Sequence, residues 1–169
     1  MKKDARLVRN FHIYFILKLV VVVGTSIPKQ LFSSLGQRNY LIYSSNQGIQ
    51  QIQLNSVQTP VQIISTKNAG YVTKIDFDIT TNMLYWVENV SHRIMRAHIN
   101  GSATGNLLIG TQLQPYDIAV DSYGGQLYFT DTKTNQIYVY NLRKERMVGA
   151  IMSGKLKRPR SIVLYPEKG

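Results

Sequence analysis

The feature that most constrains this chain is an internal period of 43 residues. The segments KIDFD, DIAVD and RSIVL begin at residues 74, 117 and 160, and the segments LIYS, LYWVE and LYFTD begin at residues 41, 84 and 127. Repeats of about 40 to 50 residues are typical of propeller blades and solenoid units. The chain is therefore predicted to be a row of repeated units.

Each period consists of short runs of alternating or β-branched residues between turn residues, and no run of helical length keeps an apolar stripe. In the clearest period we predict strands at residues 117–121, 126–130, 136–142 and 147–152. The segments 100–101 and 122–125 contain residues that accept a positive φ, as tight hairpins require. A four-stranded unit that buries both sheet faces against its neighbours is a propeller blade.

The count of units predicts an all-β, partial β-propeller of about three blades, each with four antiparallel strands. The predicted first blade, about residues 40–66, lacks its inner strand. Complete blades follow at residues 71–111 and 116–155, and residues 160–165 form a lone inner strand. A six-bladed ring needs about twice this number of strands. We expect an incomplete fragment, or alternatively two copies that close one ring.

Residues 1–26 have the pattern of a secretory signal peptide: a basic start, an apolar run at residues 13–23, and then Gly24 and Ser26. Cleavage is predicted after Ser26, with residues 27–39 as a linker. An uncleaved anchor is the alternative, although the apolar run is shorter than the about 20 residues that span a bilayer. The mature product is expected in the secretory pathway, as an extracellular protein or a receptor ectodomain. The chain contains no cysteine, so packing alone must hold it together.

The net charge of +11 is unevenly placed, with +4 in the first 26 residues and most of the remainder after residue 142. The basic segments 143–146 and 155–160 are interpreted as solvated loops, with heparan sulfate as a possible acidic partner. They lack the interleaved aromatic residues that stack on bases, so no nucleic-acid partner is predicted.

The segments LYWVE and LYFTD resemble the YWTD signature of low-density-lipoprotein-receptor class B repeats. The segment FTDTKTNQIYVYNL, followed by LKRPRSIVLYPEKG, resembles that repeat up to the inner strand of the next blade. The resemblance covers about residues 40–169 and is most like the Wnt co-receptor group of lipoprotein-receptor-related proteins. It implies an extracellular module that binds protein ligands, such as Wnt-type ligands or their antagonists.

The residues that carry this resemblance have structural roles in the family. They are Tyr85, Trp86, Glu88, Tyr128, Phe129 and Asp131. The family uses the acid of the signature as a buried acceptor that ties neighbouring blades, and Asp131 fits this role. Glu88 and Ser45 replace the acid in the two earlier units, so weaker ties are expected there.

The ligand face of the family often carries an acid directly after the proline that enters an inner strand. Here Tyr116 follows Pro115 and Arg160 follows Pro159, so an acidic ligand face is not evident. The candidate ligand positions on the loop-rich rim are His92, Arg93, Tyr116, Lys133 and Arg158.

Two sequons, at Asn89 and Asn100, are candidate glycosylation sites in a secreted chain. Asn100 is predicted in a hairpin between a third and a fourth strand. Asn89 is predicted on the opposite rim, where a glycan would obstruct ligands.

No cofactor, metal site or catalytic activity is predicted. His92 and His98 lack metal-ligand spacing, and the chain has no G-x-S-x-G elbow. Inner-strand acids favour turn capping over calcium binding. They are Asp76, Asp78, Asp117 and Asp121. Two further readings stay open: a matrix propeller of nidogen type, and a less favoured calcium-dependent propeller hydrolase.

Overall fold

The structure is a computed structural model that describes residues 20–22, 40–53, 59–65, 67, 71–108, 112–152 and 156–165. Within these residues it contains twelve strands. They are β1 (Val20–Val22), β2 (Tyr40–Ser45), β3 (Gly48–Gln53), β4 (Val61–Ser65), β5 (Val72–Asp78), β6 (Met83–Glu88), β7 (Arg93–His98), β8 (Gly105–Leu108), β9 (Pro115–Asp121), β10 (Gln126–Asp131), β11 (Gln136–Asn141) and β12 (Arg146–Met152).

The strands form three antiparallel sheets of four, each in simple chain order. The first blade is β1 to β4, the second is β5 to β8 and the third is β9 to β12. This confirms the predicted all-β fold with about three blades. The four strands predicted in the third blade are confirmed to within two residues at each end.

Two apolar clusters join the blades, and the alternation of side chains along β6 divides its residues between them. Leu84 and Trp86 belong to a cluster with Ile42 and Ile49 of the first blade. Tyr85 and Val87, on the opposite face, belong to a cluster that includes Phe129 of the third blade. Successive side chains on a strand point to opposite faces, so the second blade is packed on both sides.

The first blade differs from the prediction that it lacks an inner strand. The backbone of β1 pairs with β2, and Val20, Val21 and Val22 lie opposite Ile42, Leu41 and Tyr40. The valine run that suits the apolar part of a signal peptide also has high β-propensity, and β2 offers it an unpaired edge. The signal peptide and linker stay predictions, because residues 1–19 and 23–39 lie outside the described residues.

The predicted inner strand at residues 160–165 does not form a paired strand. The segment instead lies along the face of the third blade that points away from the second blade. The Thr130 hydroxyl donates to the Arg160 carbonyl at 2.9 Å, and the Ile162 N–H donates to Asp117 Oδ2 at 3.2 Å. A ladder needs a second strand as partner, and the described residues after β12 supply none. Val163 and Tyr165 are consequently 87% and 79% exposed.

Candidate ligand-binding rim

The blades share an upper rim, which consists of the β6–β7 and β10–β11 turns and the segments that enter the inner strands. The Asn89 N–H donates to the Tyr71 carbonyl at 3.0 Å, and the Thr132 N–H donates to the Gln114 carbonyl at 3.1 Å. In both the second and the third blade, an equivalent backbone hydrogen bond therefore joins the turn after the second strand to the segment that enters the inner strand. It holds the rim in one repeated geometry.

Asp131 anchors the upper rim of the third blade from below. Its side chain has 0% exposure. One oxygen accepts hydrogen bonds from the backbone N–H and the hydroxyl of Thr134, both at 2.7 Å, and the other accepts from the Gln114 N–H. A buried carboxylate is tolerated when its oxygens are satisfied in this way. Asp131 therefore ties its own turn to the segment that links the second and third blades.

The residues that stand in place of Asp131 in the earlier units make contacts within their own turns. Glu88 accepts a hydrogen bond from the Ser91 hydroxyl within the β6–β7 turn. Ser45 accepts one from the Gln47 N–H at 3.0 Å. Both side chains support their own turns.

Two acids that the sequence analysis assigned to turn capping make longer-range ties: Asp76 joins the second blade to the third, and Asp117 joins the third blade to the segment that follows it. Asp76 Oδ2 accepts from the Val120 N–H of the third blade at 2.8 Å, and Asp117 Oδ2 accepts from Ile162. Asp78 and Asp121 do cap turns, through Thr80 N and Gly124 N at 2.8 Å each. The turn-capping prediction therefore holds for one pair and is wrong for the other.

Tyr116 lies at the inner edge of the upper rim, between two cations. Lys74 Nζ lies 5.6 Å from the centroid of the Tyr116 ring, and Arg160 Cζ lies at the same distance. A cation within about 6 Å of a ring is attracted by the negative charge on the π face. The ring thereby contacts one positive group of the second blade and one of the segment that follows the third blade.

The other candidate ligand positions lie on the same rim. Arg93 is exposed next to the β6–β7 turn, and Lys133 is exposed within the β10–β11 turn. His92 is half-buried in the β6–β7 turn and has a φ of 52°. The Arg158 N–H donates to Asn135 Oδ1 at 2.9 Å, which attaches the exposed Arg158 to the β10–β11 turn. The predicted residues are thus brought together. Lys74 and Arg160 are additions to the predicted set, and their equivalent positions in the 43-residue repeat could have indicated them.

The upper rim is electropositive in the described part of the chain. Its exposed charged side chains are Lys67, Arg93, Lys133, Lys157, Arg158 and Arg160. The acids of this rim are buried or engaged, since Asp117 is 1% exposed and Glu88 is held by Ser91. The exposed charge of the described part of this rim is therefore positive.

The lower rim contains a cavity of about 240 Å³ between the second and third blades. Arg96 and Tyr85 line it, and Arg96 forms an ion pair with Glu145 at 2.7 Å. Burial, followed by the negative charge of Asp78, raises the pKa of Tyr85 to about 12. The phenol therefore stays neutral to a higher pH than a free tyrosine.

The two sequons lie on opposite rims. Asn89 is exposed in the upper β6–β7 turn, whereas Asn100 is exposed in the lower β7–β8 turn. Asn100 Oδ1 accepts hydrogen bonds from the Ser102 N–H at 2.9 Å and from its hydroxyl at 2.6 Å. Glycosylation of either residue stays a prediction.

Among the residues that the structure describes, no group of three or more His, Asp or Glu side chains is placed to hold a metal ion. In the same part of the chain, no helix has the length and apolar character needed to cross a membrane.

The repeat, the blade architecture and the rim define a class: these are YWTD-type (low-density-lipoprotein-receptor class B) β-propeller repeats. The chain is 30% identical over 135 residues to human low-density lipoprotein receptor-related protein 5, which covers 77% of this chain. It is likewise 30% identical over 132 residues to the mouse protein of the same name, which covers 76% of this chain. The repeats are thus like those of the Wnt co-receptor group. The chain spans 8% of the length of each of these relatives.

Solved structures support the fold. A chain of a nidogen–laminin complex superposes with a TM-score of 0.66 at 20% identity, covering 75% of this chain and 49% of that chain. Apo AztD from Citrobacter koseri superposes with a TM-score of 0.55 at 16% identity, covering 74% of this chain and 34% of its own. No family model matches the sequence.

Proposed function

We propose that this chain is an extracellular, non-enzymatic module that binds a protein ligand on its upper rim, within a lipoprotein-receptor-related protein of the Wnt co-receptor type. The observation that carries the proposal is the convergence of the candidate ligand residues on one rim. Tyr116, Arg93, Lys133 and Arg158 come from different blades and turns and lie on one side of the sheets. Repeated backbone bonds hold this side in place.

Binding by such a rim needs a rigid support and varied loops. The apolar clusters between blades supply the support, since Trp86 and Phe129 have 0% exposure. The turns that carry Arg93 and Lys133 are closed by local hydrogen bonds, so little ordering entropy is lost when a partner binds. A Wnt-type ligand or a secreted antagonist is the partner class that the similarity to the relatives supports.

A second candidate is a matrix or scaffolding propeller of nidogen type. The superposition on a nidogen–laminin complex favours it at the level of the fold. The two functions differ in the partner, because a scaffolding module would hold a matrix protein such as laminin rather than a signalling ligand.

The test is a binding screen of the full chain, displayed on cells, against purified Wnt-type ligands, secreted antagonists and laminin fragments. Charge reversal at Arg93 and Lys133 should weaken the binding of a true ligand by about tenfold or more. The matched control reverses Arg143 and Lys144, which are exposed on the lower rim. An equal loss in the control would place the ligand elsewhere and contradict the proposal.

A further inference from the structure

The inner edge of the upper rim contains a recurring cationic position. Lys74 and Arg160 stand at the same position of the 43-residue repeat, two periods apart, and Asp117 occupies that position between them. Both cations lie 5.6 Å from the ring of Tyr116, which precedes Asp117. The repeat therefore places two positive groups around one aromatic ring, at the edge where inner strands begin.

The nearby acids Asp117 and Asp131 are engaged by backbone donors. Asp117 is 1% exposed, and its two oxygens accept from the backbone N–H groups of Ile118 and Ile162. Asp131 is buried and bound to Gln114 and Thr134. A carboxylate that accepts backbone hydrogen bonds is held in place and is oriented toward those donors. The charge that reaches solvent at this edge is positive.

We infer that Lys74, Tyr116 and Arg160, here called the cation pair site, bind side-chain carboxylates of an acidic segment in a partner protein. The Arg160 guanidinium is exposed and can accept a carboxylate through two parallel N–H···O bonds. Lys74 adds a second positive charge, and the Tyr116 ring fixes the position of both. The exposed Arg93, Lys133 and Arg158 attract the same segment as it approaches.

The geometry favours an acidic peptide over a sulfated polysaccharide. Lys74 is only 8% exposed, so the exposed Arg160 is the main contact of this site, and one guanidinium fits one carboxylate better than several sulfates of a rigid sugar chain. A polysaccharide would also use exposed cations wherever they cluster, including Arg143, Lys144 and Arg146 on the lower rim. This inference rests on the proposed function, because it names the chemistry of a partner on the same rim.

The experiment measures fluorescence anisotropy of a labelled oligoglutamate peptide with the full chain, in competition with oligolysine and with a heparin oligosaccharide. Arg160→Glu should weaken oligoglutamate binding by about tenfold or more, and Tyr116→Ala by about threefold. Arg143→Glu on the lower rim is the matched control and should change the affinity less than twofold, which is about the scatter expected for a remote charge. Thermal unfolding of each variant verifies that the fold is kept.

The outcomes separate this inference from the proposed function. Preference for heparin, equal weakening by Arg143→Glu, or no binding of oligoglutamate would each overturn the cation pair site. A protein ligand found in the screen that binds Arg160→Glu as tightly as the unaltered chain would also overturn it, and the proposed function would stand. A screen in which the upper-rim reversals leave every ligand unaffected would contradict the proposed function itself.

Discussion

Asp131 is the single residue on which the upper rim of the third blade depends most. Replacing it by alanine leaves the Gln114 N–H and the Thr134 N–H without their buried acceptor. We expect Asp131→Ala to lower the free energy of unfolding by about 2–4 kcal/mol, as for other buried charged hydrogen bonds. Urea unfolding followed by circular dichroism measures the change.

The neighbouring Lys133 provides the control for Asp131, because its side chain is exposed in the same turn. Lys133→Ala should change the stability by less than about 0.5 kcal/mol. Equal effects of the two substitutions would show that the carboxylate is not the anchor of the turn.

Tyr85 should make the fold sensitive to alkali. Its folded pKa is raised from 10.0 to about 12, mainly by burial. Between pH 10 and pH 12 the unfolded chain has lost this proton and the folded chain has kept it, so stability falls as the pH rises through this window. Below pH 10 the contribution is fully present.

The measurement is the urea midpoint across this pH range. Tyr85→Phe should flatten the alkaline decline, although burial also raises the pKa of Tyr43 and Tyr140 and leaves a smaller decline. Tyr123→Phe, at a 66% exposed position, should follow the unaltered chain. A Tyr85→Phe curve identical to the unaltered one would rule out the phenol as the cause.

At the residue scale, the sequence predicted which acids matter but not what each does. Asp78 and Asp76 stand two residues apart on β5, yet one caps a turn and the other accepts from Val120, 44 residues away. The pattern of alternation contains no information on which backbone N–H the next blade presents. Only the stacking of the blades decides this.

At the level of the elements, five hairpins share one four-residue turn. The last residue of each turn has a positive φ, and the acid or amide before the turn often caps it. The five residues with a positive φ are Asn82, His92, Gly125, Asn135 and Glu145. Because the left-handed region is costly for most residues, the repeat of this turn fixes the hairpin registers.

Gly101 marks a close approach of the second blade to the first that a single substitution can test. It has a φ of +83°, and an added Cβ would lie 2.6 Å from the Ile63 carbonyl oxygen. Gly101→Ala should therefore cost about 1–3 kcal/mol in unfolding free energy. Gly105→Ala, which meets nothing within 4 Å, is the control in the same chemical denaturation series. Similar losses in both variants would contradict the close approach of the blades.

The strands of the third blade could be predicted because their alternation and turns agree with each other. Two elements could not. The strand β1 depends on the free edge of β2, which no local pattern shows. Residues 160–165 have the pattern of an inner strand, but they lack the second strand that would complete a ladder.

For the molecule as a whole, processing of the N-terminus decides the composition of the first blade. Cleavage after Ser26 would remove β1 and leave β2, β3 and β4 in that sheet. We expect the secreted product to begin at Ile27, as determined by mass spectrometry of its N-terminal peptide. A secreted product that retains residues 20–22 would contradict the predicted signal peptide.

The 43-residue period was sufficient to predict three stacked blades and their rims. The rim residues could be predicted as a set, because the turns between second and third strands always lie at one edge. The pairing of Lys74 and Arg160 with Tyr116 could not, since it depends on the distance between blades.

In the described residues the two outer faces of the three-blade stack have no neighbouring blade, and we expect these faces to associate with further blades or with a second copy. The most direct test is the molar mass of the secreted chain, measured by light scattering after size exclusion over a range of concentrations. The exposed Val163 and Tyr165 and the uncovered face of the third blade predict association above the mass of one chain. A monomer that is concentration-independent, strand-rich and cooperatively unfolding would contradict the claim.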